Sequence, residues 1–199
     1  MTAAARRRMT ADEFLNWALT QEETYELVDG VPVAKFRSGP ESMANGTRSH
    51  AQVSGNIYFA LRRRLRGGPC RPYTDDLSVR TSIERVRRPD VLVECGRGNG
   101  GDLEATAPTV LFEVLSPSSQ REDLVLKPLE YKRIETVKLY AAVYTDVALL
   151  KVWARDEEGR WLDDVVSGLQ ANLPLPMLGI DLPLSEIYEE IELDSLIAL

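Results

Sequence analysis

A carboxylate inside an apolar run constrains this chain more than any other feature. Residues 108–117 read PTVLFEVLSP. Val110, Leu111, Phe112, Val114 and Leu115 form a short hydrophobic stretch bounded by prolines, which predicts a strand buried on both faces. Glu113 sits within it. An ionised carboxylate there is costly unless a cation or hydrogen-bond donors compensate it, or unless its pKa rises and it stays neutral. Two explanations stand side by side: a structural glutamate that is paired or reaches solvent at a strand end, and a metal ligand presented on a rigid strand.

The rest of the chain supplies the frame for that strand. Thr10-Ala11-Asp12-Glu13 has the form of a capping box, predicting a short helix to about Thr20. Tyr25-Glu26-Leu27-Val28 and Val31-Pro32-Val33-Ala34 flank Asp29-Gly30, a β-hairpin signal because a type I′ turn needs positive φ at both central residues. Residues 37–48, rich in Gly, Ser, Asn and Pro, read as a mobile loop. From Ser49, a plausible cap, Val53, Ile57, Leu61 and Leu65 recur every four residues, with His50 on the same stripe, and Gly67-Gly68-Pro69 ends the helix. Arg62, Arg63, Arg64 and Arg66 lie on its far side, as a solvated face or as phosphate contacts.

Strands follow. Leu77, Val79, Thr81 and Ile83 alternate with polar residues as a half-buried strand, and Pro89-Asp90-Val91-Leu92-Val93 opens another with its acid at the entrance. Residues 96–101 form a Gly-rich turn without the pattern of a phosphate loop. After the central strand a helix is expected from Asp123 to Ile134, carrying Lys127 and Tyr131 on one face, with Pro128 awkward inside it. Strands are expected from Leu139 to Tyr144 and from Val147 to Ala154, and residues 182–188 are expected to dock a last short helix. The expected fold class is α/β, a mixed β-sheet flanked by helices with an N-terminal helix and β-hairpin. A single domain over residues 1–199 is expected, with residues 1–9 disordered.

With 199 residues and a formal net charge of −7, a generally basic nucleic-acid coat is disfavoured, while a local basic groove is not. Cys70 and Cys95 form no zinc pattern and are too few for a disulfide scaffold, so a reducing, cytoplasmic setting is the simplest reading. No stretch has the length or apolarity of a membrane span. Monomer and homodimer both stay open.

Asp90 and Glu113, on neighbouring strands, form an acidic pair suited to one hard divalent cation, which takes oxygen ligands. A nearby lysine would complete a hydrolytic set: a Lewis acid that activates water, and an ammonium that orients the water or stabilises the developing charge. His50, at the start of its helix, reads either as a group at the rim of that site or as a satisfied core or capping residue. Tyr131 reads either as a support for the lysine or as a core aromatic.

These residues resemble a known family. Tyr25 to Gly30 (YELVDG), Ser49-His50, Gly68-Pro69-Cys70-Arg71 with Asp76 to Arg80, Pro89 to Val93 (PDVLV), Glu113 to Ser119 (EVLSPSS), and Lys127 with Tyr131 and Arg133-Ile134 are similar to the Uma two family of restriction endonucleases, within the PD-(D/E)XK nuclease superfamily. The resemblance spans roughly Thr10 to Tyr188. It implies a restriction-endonuclease-like core, DNA as substrate, and Mg²⁺ or Mn²⁺ held by Asp90 and Glu113. Leu115 occupies the usual lysine position two residues after the glutamate, and the resemblance points instead to Lys127 on the next helix. Pro128 is expected to push Lys127 away from helical dihedrals. Arg87 and Arg88 stand where the family often has an aromatic, adding positive charge that would suit phosphate. A nuclease-fold protein that binds nucleic acid or a protein partner without cutting is the alternative, and a hydrolase of another phosphoester is a third.

Overall fold

The computed structural model describes residues 8–35, 47–116 and 119–194. It begins with α1 (Ala11–Ala18), closed by the expected capping box: the Glu13 N–H donates to Thr10 Oγ1, and the Thr10 N–H donates to Glu13 Oε2. Ala11, Phe14 and Leu15 are buried against Leu27 and Val86. Strands β1 (Tyr25–Val28) and β2 (Val31–Ala34) pair around Asp29 at φ 50° and Gly30 at φ 76°, the left-handed pair the turn requires. Of the N-terminal stretch expected to be disordered, residues 1–7 lie outside the described residues. The Met9 N–H is hydrogen-bonded to Gly30 O at 2.8 Å. The loop expected at 37–48 falls on residues outside the described ones as far as 46.

Helix α2 (Arg48–Arg64) buries Val53, Ile57, Ala60 and Leu61. Its cap is Thr47 and not Ser49: Thr47 Oγ1 accepts the His50 N–H at 3.2 Å. Either hydroxyl can serve a first turn, and the choice of Thr47 starts the helix one residue before Ser49. Two sheets follow. In the smaller one, β4 (Val79–Ser82) and β5 (Arg85–Arg87) add to the hairpin in the order β2-β1-β5-β4. In the larger one, β3 (Cys70–Thr74), β6 (Val91–Cys95), β7 (Pro108–Val114), β8 (Leu139–Val143), β9 (Leu149–Arg155) and β10 (Trp161–Ser167) are ordered β10-β9-β8-β7-β6-β3. Only the β7–β8 pair within it is parallel, so the sheet is mixed. A short ribbon, β11 (Asn172–Leu175) and β12 (Ile180–Pro183), leads to α4 (Leu184–Ile187), the expected terminal helix.

Every residue of β7 is buried. Alternation divides them between two cores. Val110, Phe112 and Val114 face α2, α4 and the β11–β12 ribbon, whereas Leu111 and Leu115 face Tyr131, Tyr140 and Trp153. Glu113 belongs to the second face. No helix among the described residues is long and apolar enough to cross a membrane.

Two local expectations are corrected. Cys70 and Cys95, directly opposite in the β3–β6 register, are joined by a disulfide, which a reducing setting does not anticipate. The segment after β7 is also not one α-helix. Residues Glu122–Leu126 form a π turn in which the Lys127 N–H donates to Glu122 O, and α3 (Lys127–Tyr131) follows. Lys127 itself is helical, at φ −61° and ψ −38°. A wider turn ahead of Pro128 accommodates its ring and its missing N–H, so the residue before it need not leave helical dihedrals.

Candidate active site

Strand pairing brings the two acids together. Val91 is opposite Phe112, and one step further along the antiparallel ladder Asp90 falls opposite Glu113, on the same face of the sheet. The contact is fastened by the backbone, because the Val114 N–H donates to Asp90 Oδ2 at 2.8 Å. Pro89 precedes Asp90 and has no N–H to pair, so the acid marks where β6 joins the sheet. Both carboxylates are buried, Asp90 at 7% exposure and Glu113 at 2%.

Each carboxylate has its own ammonium. Lys35 Nζ lies 2.8 Å from Asp90 Oδ1, and His50 Nε2 lies 3.2 Å from Asp90 Oδ2. Lys127 Nζ lies 2.7 Å from Glu113 Oε1, which also accepts the Tyr131 hydroxyl at 3.0 Å. Asp90, Glu113, Lys127, His50 and Tyr131 are therefore connected in one cluster, the first two as a cross-strand pair and the others around them. Lys127 reaches this position through helical geometry: one turn of α3 separates it from Tyr131, and both side chains converge on the same glutamate oxygen.

The charge balance is uneven. Burial drives the Glu113 pKa up to about 8, reinforced by Asp123 and Asp90 and resisted by Lys127 and Lys35. For Asp90 burial acts in the same direction, but Lys35 and His50 outweigh it and hold the carboxyl below the usual carboxylate range. Burial works against the Lys127 ammonium, yet Glu113, Glu26 and Asp123 together hold its pKa well above the ordinary lysine value. Burial and Glu113 push the Tyr131 hydroxyl up, so it stays a proton donor.

Four contributors were not singled out in the sequence: Lys35, Glu26, Asp123 and Glu130. Asp123 Oδ1 is 2.9 Å from Lys127 Nζ, but it lacks a hydrogen-bond donor in good geometry, so the contact is one of charge. Glu26 Oε1 stands 3.7 Å from the same ammonium. Asp123 was within reach of a pattern reading, since it precedes Lys127 by four residues. Lys35 and Glu26 sit in the hairpin, and nothing local marks them.

Arg87 and Arg88, whose charge was expected to suit phosphate, are engaged within the protein. Arg87 is 1% exposed and gives both ends of its guanidinium to Glu130, at 2.8 and 2.7 Å, with further bonds to Glu26 at 3.0 Å and Glu122 at 2.6 Å. A guanidinium enclosed by three carboxylates cannot also meet a phosphate. Arg88 donates to the carbonyls of Asp75 and Asp76. On α2, Arg64 forks onto Glu186, and Arg63 adds a third bond, fastening α4.

Residues 11–185 match the family Uma2, described as "Putative restriction endonuclease". The chain belongs to the Uma2 family. A relative, "Uncharacterized protein slr1290" of Synechocystis, is 26% identical over 185 residues, covering 91% of this chain and 92% of its own. A crystal structure from Anabaena variabilis ATCC 29413, described as a putative nuclease belonging to DUF820, superposes with a TM-score of 0.66 at 18% identity, covering 90% of this chain and 97% of the other. At that identity the superposition establishes the fold of this Uma2 chain, a mixed α/β architecture.

Proposed function

We propose that this Uma2 protein is a divalent-metal-dependent endonuclease that hydrolyses DNA phosphodiester bonds. The observation that carries the reading is the buried Asp90–Glu113 pair with the Lys127 ammonium 2.7 Å from Glu113. No group of three or more His, Cys, Asp or Glu residues suited to hold a metal ion occurs among the described residues, so the protein's share of a metal shell is two carboxylates. Their hard oxygen donors fit Mg²⁺ or Mn²⁺, which commonly keep several waters. When bound, such an ion supplies a Lewis acid and an acidified water.

The chain's own residues supply the rest. Lys127 carries a fixed positive charge in a water-poor setting, where it stabilises the negative charge developing on phosphorus-bound oxygens. Tyr131 holds Glu113 in place through its hydroxyl. His50, at the first turn of α2 beside Asp90, is placed to donate to a phosphate oxygen. The second reading, a nuclease-fold protein that binds without cutting, is favoured by the two lysines already engaged with the acidic pair. Circular and single-stranded DNA incubated with Mg²⁺ or Mn²⁺ separates the two. Cleavage by the wild type that is lost in Asp90→Asn supports the enzyme. DNA retention without cleavage in either ion supports the binder.

A further inference from the structure

Lys35 stands just beyond β2, and its backbone is anchored by the hydrogen bond from its N–H to Thr24 O at 2.8 Å. Its ammonium crosses to the acidic pair, donating to Arg88 O at 2.7 Å and Asp90 Oδ1 at 2.8 Å. Asp75 Oδ2 lies 3.3 Å from the same nitrogen. The two acceptors differ in setting. The Asp90 side chain is 6% exposed and the Asp75 side chain 32%.

Lys127 has a different environment. It touches Glu113, Asp123 and Glu26 at once and is 6% exposed, so moving it would strand several buried carboxylates. Lys35 can give up Asp90 and keep a carboxylate partner, because Asp75 is already within reach. The Lys35 ammonium puts a full positive charge 2.8 Å from Asp90 Oδ1, so a dication drawn to the same carboxylate meets its repulsion. Without Lys35 that repulsion is gone, which suits a dication better.

From this geometry we infer that Lys35 is a displaceable countercharge for Asp90: its ammonium holds the carboxylate until a divalent cation binds, and then transfers to Asp75. The inference rests on the metal-binding reading proposed above. Lys35 thus sets the metal affinity of the site without being a ligand and without touching substrate. A merely structural ion pair would lower stability on removal and leave metal affinity unchanged or weaker. A displaceable one raises metal affinity when removed.

Calorimetric titration of the full chain with Mn²⁺ distinguishes these cases. Lys35→Met and Lys35→Gln, the latter keeping polar contacts without the charge, are each expected to bind Mn²⁺ on the order of tenfold more tightly than the wild type. Asp75→Asn removes the receiving carboxylate and is expected to weaken binding about threefold when Lys35 is present, and to have no effect in the Lys35→Met background. Unchanged or weaker affinity in both Lys35 variants, with wild-type binding intact, would overturn the inference and leave the metal reading standing. An equal effect of Asp75→Asn with and without Lys35 would overturn the transfer. If the wild type and the Lys35 variants are all folded by near-ultraviolet circular dichroism and none takes up Mn²⁺, the metal reading fails, and the inference fails with it.

Discussion

Replacing Arg87 with methionine isolates the charge network that holds the Lys127 helix against the sheets. The guanidinium links β5 to β1 through Glu26, to the π turn through Glu122 and to α3 through Glu130. Methionine fills much of the same volume but carries no charge. Glu130 would keep Thr81 Oγ1 at 2.9 Å and Arg85 at 3.2 Å, and Glu26 would keep the Arg88 N–H at 2.9 Å. Removing one partner of a buried ion pair typically costs about 3–5 kcal/mol, since the other is left uncompensated. Against a total stability of about 5–15 kcal/mol, that is a large fraction, equivalent to about 10 °C in thermal midpoint for a chain of this size. Arg87→Lys keeps the charge and loses the fork, so roughly half that loss is expected.

Urea denaturation at two pH values checks both the size and the cause. Burial opposes ionisation of Glu130 and of Glu26, but Arg87 and, for Glu26, Lys127 hold both pKa values below their ordinary 4.5. Carboxylates depressed in this way contribute stability that is fully present above about pH 4.5 and is lost as pH falls through the lower folded values. In Arg87→Met Lys127 still holds Glu26 down, but Glu130 loses its chief countercharge, so burial raises its folded pKa and the folded variant takes up a proton more readily as pH falls from 7. The gap between wild type and variant should therefore narrow from pH 7 to pH 5. A loss below about 1 kcal/mol, or a gap equal at both pH values, would refute the reasoning by showing that these carboxylates rehydrate without the arginine.

If Glu113 is a metal ligand, Mn²⁺ should raise the thermal midpoint of the wild type by mass action, and Glu113→Gln should abolish the rise; a full shift in the variant removes Glu113 from the ligand set. Lys127→Met should not weaken Mn²⁺ binding by calorimetry and should cut plasmid cleavage on the order of a hundredfold, and cleavage at the wild-type rate would deny it a role in the reaction. His50→Ala should lower turnover more than stability; equal loss of both, with metal affinity untouched, would make it a packing residue. Reducing the Cys70–Cys95 bond, which spans 25 residues, should cost about 3 kcal/mol in urea titration, and an unmoved midpoint would show that pairing with β6 alone holds β3.

Much of the candidate site was legible because burial makes a charge conspicuous. Glu113 stands out in an apolar run, Asp90 opens another, and both fall where strand register brings them opposite each other. Lys127 and Tyr131 share a helix face at a spacing the sequence displays directly. Lys35 was illegible for the complementary reason: its partner Asp90 is 55 residues away, and a lysine after a hairpin strand reads as ordinary solvent-facing charge. Strand β3 escaped notice because Pro72 interrupts it, which only an edge position tolerates. Its position at the edge of the larger sheet, opposite β6, is also what places Cys70 beside Cys95. Strand β10 carries Asp163 and Asp164 and is exposed along most of its length, so no apolar alternation marks it, and its pairing with β9 supplies the order. Arg87 shows the limit most clearly. Read along the chain, two adjacent arginines before an acidic strand imply phosphate. Only the fold reveals that three carboxylates from three separate elements already enclose one of them. Its cation thus secures the helix from which Lys127 reaches Glu113, and Arg87 serves the acidic pair by holding that helix in place.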